Sequence, residues 1–347
     1  MQKSLNLGPF SFNPTGKPMI KSFLGLFFSV LLYVDGIEYV RCVGYDRAGA
    51  PIQWMCDENG TLSKRVFLGN SRGQADDLAI SSSLVYCGGQ DWTNSAAIWM
   101  NRVDGSGVNK VAFDSNGSSI NRLALSSSRV YSVGSSHSVN AMLWISYLDC
   151  SHHQSIPLNN GNYARGLSLS SNSLYIVGDS PGEGSILWMA SLGGSSLQTI
   201  SLDTGYSMAF DVGISSENIY SIGLDDSKNM TLWINDLTGV FVSKISMASN
   251  GNFAGRLIVL SDKIYLGGYD DQGKATLWIS DLKGNLLNKI ELDNGQVNSL
   301  ALSSTAIYST GQDDLENAVL WICDLDGNNI KKNILAPQGA VAIGVAL

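Results

Sequence analysis

Seven times along this chain a Gly is followed, ten positions later, by a Trp. The pairs are Gly44/Trp54, Gly89/Trp99, Gly134/Trp144, Gly178/Trp188, Gly223/Trp233, Gly268/Trp278 and Gly311/Trp321. Successive Trp residues lie 45, 45, 44, 45, 45 and 43 apart. A period of that length, kept over seven units, confines the chain to a repeat architecture. Each unit is too small to bury its apolar surface alone and must stack on its neighbours.

Each unit carries four apolar stretches. The first reads L-x-L-S-S, as in Leu78–Ser82, Leu123–Ser127, Leu167–Ser171 and Leu300–Ser304, with Val212–Ser216 and Leu257–Ser261 as variants. Eight residues after its first position comes a Tyr: Tyr86, Tyr131, Tyr175, Tyr220, Tyr265 or Tyr308, with Arg41 holding the place in the first unit. The third stretch reads like A-x-L-W-I and ends in D-L-x-G; the fourth is short. All are rich in β-branched and aromatic residues and bounded by Gly, Asp, Asn and Ser, which makes them strands. The D-L-x-G turns suit tight hairpins with Gly at positive φ. Only 15% of residues are charged and 37 are Gly, and no sustained helical periodicity appears in the repeats. The fold class is therefore all-β: a seven-bladed β-propeller of four-stranded blades. The first unit lacks its inner strand, and Val345-Ala346-Leu347 lies at the offset from Trp321 where an inner strand begins. The C-terminal strand is expected to complete blade one and close the ring.

The repeat resembles bacterial propeller repeats of the SBBP and NHL type. The matching residues are, for example, Leu300-Ala-Leu-Ser-Ser304, Ile307-Tyr-Ser-Thr-Gly311 and Ala318-Val-Leu-Trp-Ile-Cys-Asp-Leu-Asp-Gly327. The resemblance spans about residues 37–347 and implies a propeller fold with no particular ligand. The Trp of the third stretch departs from those repeats.

Ahead of the propeller at 37–347, residues 1–36 read as an N-terminal tail and export signal. Residues 23–34, FLGLFFSVLLYV, form an uncharged apolar run preceded by Lys17 and Lys21. It is too short to span a bilayer and the right length for a signal-peptide core. A secreted, periplasmic or cell-surface location follows as an expectation, with no integral membrane span. The alternative is that SVLLYV is itself a strand. The net charge of -8 without any Lys/Arg cluster argues against a nucleic-acid partner. Five Cys without C-x-x-C spacing indicate neither a metal site nor a dense disulfide framework, although Cys42 and Cys56 are candidates to face each other across one hairpin.

One Trp per blade at a fixed position means packing, so the candidate site lies where units differ. Trp92 is the one Trp outside the register. Tyr163, Tyr206 and Phe253 sit in the loops between blades. Asp77, Arg122, Asp211 and Arg256, just before the inner strands, and Arg165 are expected to ring the mouth of the central channel. Aromatic faces with Asn, Asp and Arg suit a sugar or a peptide. Asp46, Asp91, Asp225, Asp270 and Asp313, two after the repeat Gly, would form an acidic crescent or simply start turns. Gly178-Asp-Ser180-Pro-Gly182 fits G-x-S-x-G but falls between two strands, not at a strand-to-helix elbow. The reading is a non-enzymatic, monomeric binding or scaffold module for a glycan or protein, with no catalytic residues, metal or cofactor. The alternatives are a glycan hydrolase or lyase using Asp77, Asp211 and Asp46, and a purely structural surface protein.

Overall fold

Each repeat folds into one blade of four antiparallel strands running from the central axis outward. In blade two these are Gln74–Ile80, Leu84–Gln90, Ala96–Arg102 and Asn109–Ala112. The computed structural model describes residues 39–347 except 116, 139 and 181. The N-terminal tail, the export signal and the alternative SVLLYV strand lie outside the described residues. Seven blades close into a ring. The 17-residue strand Leu286–Leu302 is shared, its first part the outer strand of blade six and its second part the inner strand of blade seven. Blade one takes its inner strand, Val341–Ala346, from the C-terminus, paired antiparallel to Val40–Tyr45. Closure by the last strand is as the repeat spacing predicts. It covers the inner edge of Val40–Tyr45, which would otherwise present unpaired N–H and C=O groups.

The repeat Trp residues fill seven cores, each between two blades, and are 0–1% exposed. Trp144 of blade three packs with Tyr86 and Ile98 of blade two, and Trp188 of blade four with Tyr131 and Leu143 of blade three. Trp54 of blade one packs with Tyr308 and Leu320 of blade seven, so the last interface matches the others. The Tyr on the second strand holds the opposite side. Tyr86 Oη donates to Leu148 O of the following blade at 2.8 Å, and Tyr308 Oη to Glu58 O at 3.3 Å. Arg41, at the same position of blade one, donates to Val103 O of blade two.

The repeat Gly has a separate cause. All seven inner strands carry a β-bulge at one register, for example between Ala75 and Asp77 or Val297 and Ser299; in blade one the bulge residue is Ile343, between Ala342 and Gly344. The shift pushes an inner-strand carbonyl over the second strand. A Cβ at Gly44, Gly89, Gly134, Gly178, Gly223, Gly268 or Gly311 would lie only 1.8–2.0 Å from that oxygen. Gly and Trp are not opposite each other: Gly44 pairs with Ile52 and Trp54 with Cys42. The same offset makes Cys42 and Cys56 diagonal neighbours, and both are free thiols. Burial, and then the adjacent Cys56, push the Cys42 thiol well up.

Candidate functional site

The loops between blades and the turns joining second to third strands share one face, here called upper. The turns joining first to second and third to fourth strands share the lower face. Asp77, Arg122, Asp211 and Arg256 follow the bulge at one register of four inner strands. They do not ring a mouth. They cross the channel as two ion pairs, Arg256 Nη2 to Asp77 Oδ1 at 3.1 Å and Arg122 Nε to Asp211 Oδ1 at 3.6 Å. The second oxygen of each carboxylate accepts a main-chain N–H of the next blade: Leu123 N on Asp77 and Leu257 N on Asp211, at 2.8 and 3.0 Å. Ser299 Oγ accepts Val345 N in the same way at 3.3 Å. Asn121 and Asn298 Nδ2 donate to Ala164 O and Ala342 O at 2.8 and 3.0 Å. These side chains cap the inner-strand edges, whose N–H and C=O groups would otherwise be buried unpaired. Asp77 and Asp211 are thus engaged in holding the ring.

Asp76, the bulge residue of blade two, is buried beside this layer, with Gln74 Nε2 donating to its Oδ2 at 3.1 Å. Burial raises its pKa to about 7, against the lowering pull of Gln74, Arg122 and Arg256. Burial, and then Arg256, bring Arg122 down to about 10.

Below the charged layer the channel widens into a funnel of about 1330 Å³ open on the lower face. The L-x-L-S-S motif builds it. Ile80, Ile214, Leu302 and Leu347 line its wall, and Ser81, Ser82, Ser303 and Ser304 its rim. The first Ser also fixes the turn: Ser81 Oγ accepts Leu84 N and Ser303 Oγ accepts Ala306 N, both at 3.0 Å.

On the upper face the Asp residues two after the repeat Gly do not make an acidic crescent. Asp91, Asp270 and Asp313 are 4%, 1% and 4% exposed. One oxygen caps the turn, as in Gln272 N and Lys274 N to Asp270 Oδ1, both at 3.0 Å. The other oxygen pairs with a Lys on the outer strand: Lys289–Asp270 at 2.8 Å, Lys332–Asp313 at 2.7 Å and Lys244–Asp225 at 3.8 Å, with Lys110–Asp91 alike. Each Lys sits opposite the repeat Trp. In blades three and four, where the Asp is Ser136 or Ser180, the Lys is also replaced, by Ser155 or Thr199. Burial raises the Asp270 carboxyl, but the hydrogen bonds from Lys289 and the turn amides outweigh it and hold the group below the usual range. Asp313 behaves in the same way with Lys332 and Asn317. Asp46 Oδ1 accepts Ala48 N and Ala50 N, both at 2.9 Å, a turn role too.

Three of the predicted site residues converge on the upper face of blades four to six. Arg165 leaves the channel, pairs with Asp179, and lies over the rings of Tyr163 at 5.0 Å and Phe210 at 5.5 Å. Phe210 meets Phe253 edge-on at 4.7 Å, and Phe253 stacks on Tyr269 at 5.2 Å and 18°. Phe253 and Tyr269 are cross-strand partners at the upper end of blade six. The result is a half-buried aromatic shelf with one guanidinium set into it. Phe210 and Tyr269 escape a sequence reading confined to inter-blade loops. Their signal is register: Phe210 is the bulge residue of blade five and Tyr269 follows the repeat Gly. Tyr206 is 71% exposed beside the shelf's blades, its ring 5.8 Å from Lys228 Nζ. Trp92 is 64% exposed in the blade two turn, away from blades four to six.

Solved structures share the fold. They include a computationally designed protein, Ika8 (TM-score 0.57, 16% identity, covering 93% of this chain and 89% of that one), and the RRP9 WD40 repeats (0.59, 14%, 78% and 83%). The Neurospora crassa Pan2 WD40 domain is similar in the same degree (0.57, 14%, 78% and 81%). At these identities the likeness concerns the propeller fold alone. No family model matches the chain, so the kinship with SBBP and NHL repeats is supported only as far as a β-propeller. No curated protein matches either.

Proposed function

We propose that this propeller is a non-catalytic binding module that takes a glycan or protein ligand on its upper face, across blades four to six. The observation that carries the reading is the shelf of Tyr163, Phe210, Phe253 and Tyr269 with Arg165 set into it. Aromatic rings offer large contact area at low entropic cost, and a held guanidinium adds directional donors. Trp92 and Tyr206 extend the same face outward as exposed contacts. The pairing of Asp77 and Asp211 with arginines favours binding over hydrolysis. The N-terminal apolar run adds an export step, tested by the mass of the mature N-terminus in a fractionated culture. A Phe210→Ala/Phe253→Ala double variant is compared with the wild type on a glycan array and against candidate protein partners. Binding that disappears in the variant supports the shelf. Wild-type protein that binds neither class, or binding indifferent to the double variant, overturns the reading.

A further inference from the structure

The outer end of the shelf opens into a shallow pocket between blades six and seven. Its volume is about 280 Å³, and Tyr269, Gly273, Gly295, Gln296, Gln312 and Asp313 line it. That is at the small end of the range for small-molecule sites, about 300–1,000 Å³, with room for one ring and not a buried chain. Tyr269 has one ring face on Phe253, so its other features are turned to this pocket. Gln296 and Gln312 are cross-strand partners at the upper end of blade seven.

Blade two carries the same pair, Gln74 opposite Gln90, and makes the contrast. There both amides are used internally: Gln74 Nε2 donates to Asp76 Oδ2 at 3.1 Å and Gln90 Nε2 to Ser118 O at 3.0 Å. In blade seven the bulge residue is Asn298, which reaches away to Ala342 O. Gln312 Nε2 makes only a long 3.4 Å contact with Ala340 O. Gln296 makes no side-chain hydrogen bond among the described residues. Its half-buried amide therefore presents a donor and an acceptor to the pocket. The pocket's one carboxylate is withdrawn. Asp313 has a fully buried side chain held by Lys332 and Asn317 at 2.7 and 3.0 Å. Gly273 leaves open space where a Cβ would stand, so a ligand can approach its main chain closely.

We infer that this pocket takes a single neutral sugar ring, stacked or edged against Tyr269 and hydrogen-bonded through its hydroxyls to the Gln296 and Gln312 amides. An aromatic wall with two amides and no available charge matches an uncharged polyol. An acidic sugar would meet no cation in it. The inference rests on the upper-face binding reading and assigns it a ligand class.

The test is isothermal titration of the full chain with neutral hexose and N-acetylhexosamine oligosaccharides, and with hexuronate oligosaccharides as acidic comparators. The variants are Gln296→Leu, which keeps the side chain's size, and Tyr269→Leu, with Phe67→Ala, exposed on the outer strand of blade one, as a control outside the binding face. Expected is binding of a neutral oligosaccharide that weakens tenfold or more in Gln296→Leu, with unchanged thermal melting, and stays within twofold in Phe67→Ala. Neutral-glycan binding that survives both pocket variants overturns the pocket and leaves the upper-face reading standing. Preference for hexuronates overturns the neutral class. Absence of any glycan binding overturns the pocket inference, and protein binding lost with Phe210→Ala/Phe253→Ala would then carry the broader reading alone.

Discussion

At the scale of single residues, the repeat Gly and Asp76 make separate demands. Gly89→Ala must displace the Gln74 carbonyl, 2.0 Å from the new Cβ, whereas Gly107→Ala meets nothing within 4 Å and suffers only from its positive φ of 68°. In urea unfolding Gly89→Ala is expected to cost more than about 3 kcal/mol and Gly107→Ala about 1 kcal/mol. Equal losses would mean that the bulge does not explain the Gly. Asp76 sets a pH dependence. Its folded-state pKa of about 7 lies above that of an unfolded Asp, so between about pH 4 and 7 the unfolded chain gives up this proton first. Stability from this group is therefore present at low pH and declines as pH rises through that window, by at most about 1.4 kcal/mol per unit. Asp76→Asn should flatten the decline and raise the melting temperature at pH 8. A variant with the wild-type pH profile would show that Asp76 titrates normally.

Among elements, the tie between the second–third turn and the outer strand is the one that recurs. Lys289→Met leaves the buried Asp270 Oδ2 without its cation, and about 1–3 kcal/mol should be lost, discounted for the partial exposure of Lys289. Lys283→Met, in an exposed turn, should change little in the same denaturation series. Because Asp270 and Asp313 are held below the usual range, the stability they contribute is present above about pH 4 and is lost as pH falls through their lowered values. Acid unfolding of Lys289→Met should consequently be shallower than that of the wild type. Only the Asp half of this tie, two after the repeat Gly, was read in the sequence; the Lys opposite the Trp emerges from strand pairing, and both vanish together in blades three and four. Their mutual contact was not visible, because it crosses two strands.

Over the whole molecule, closure decides stability. Removing residues 341–347 strips the inner strand from blade one and uncovers Cys42, Val43 and Leu78. Such a chain is expected to aggregate and to lose its cooperative melt, followed by light scattering and circular dichroism. A monomer melting as sharply as the full chain would show that the ring does not depend on its last strand. The repeat period by itself determined the propeller, the seven Trp cores and the source of the closing strand, because these follow from local strand patterning and from a fixed register. What tertiary structure decided is where unlike residues from distant blades meet. Asp77 and Arg256 are far apart in sequence yet pair across the channel. Phe210, Phe253 and Tyr269 form a shelf only because neighbouring blades bring three different repeat positions, a bulge residue, a first inner-strand residue and the residue after the repeat Gly, to the same face. The identical Gln pairs of blades two and seven differ in availability because Asp76 takes one amide and Asn298 leaves the other free. A repeat states which positions correspond; only the closed ring brings them into contact.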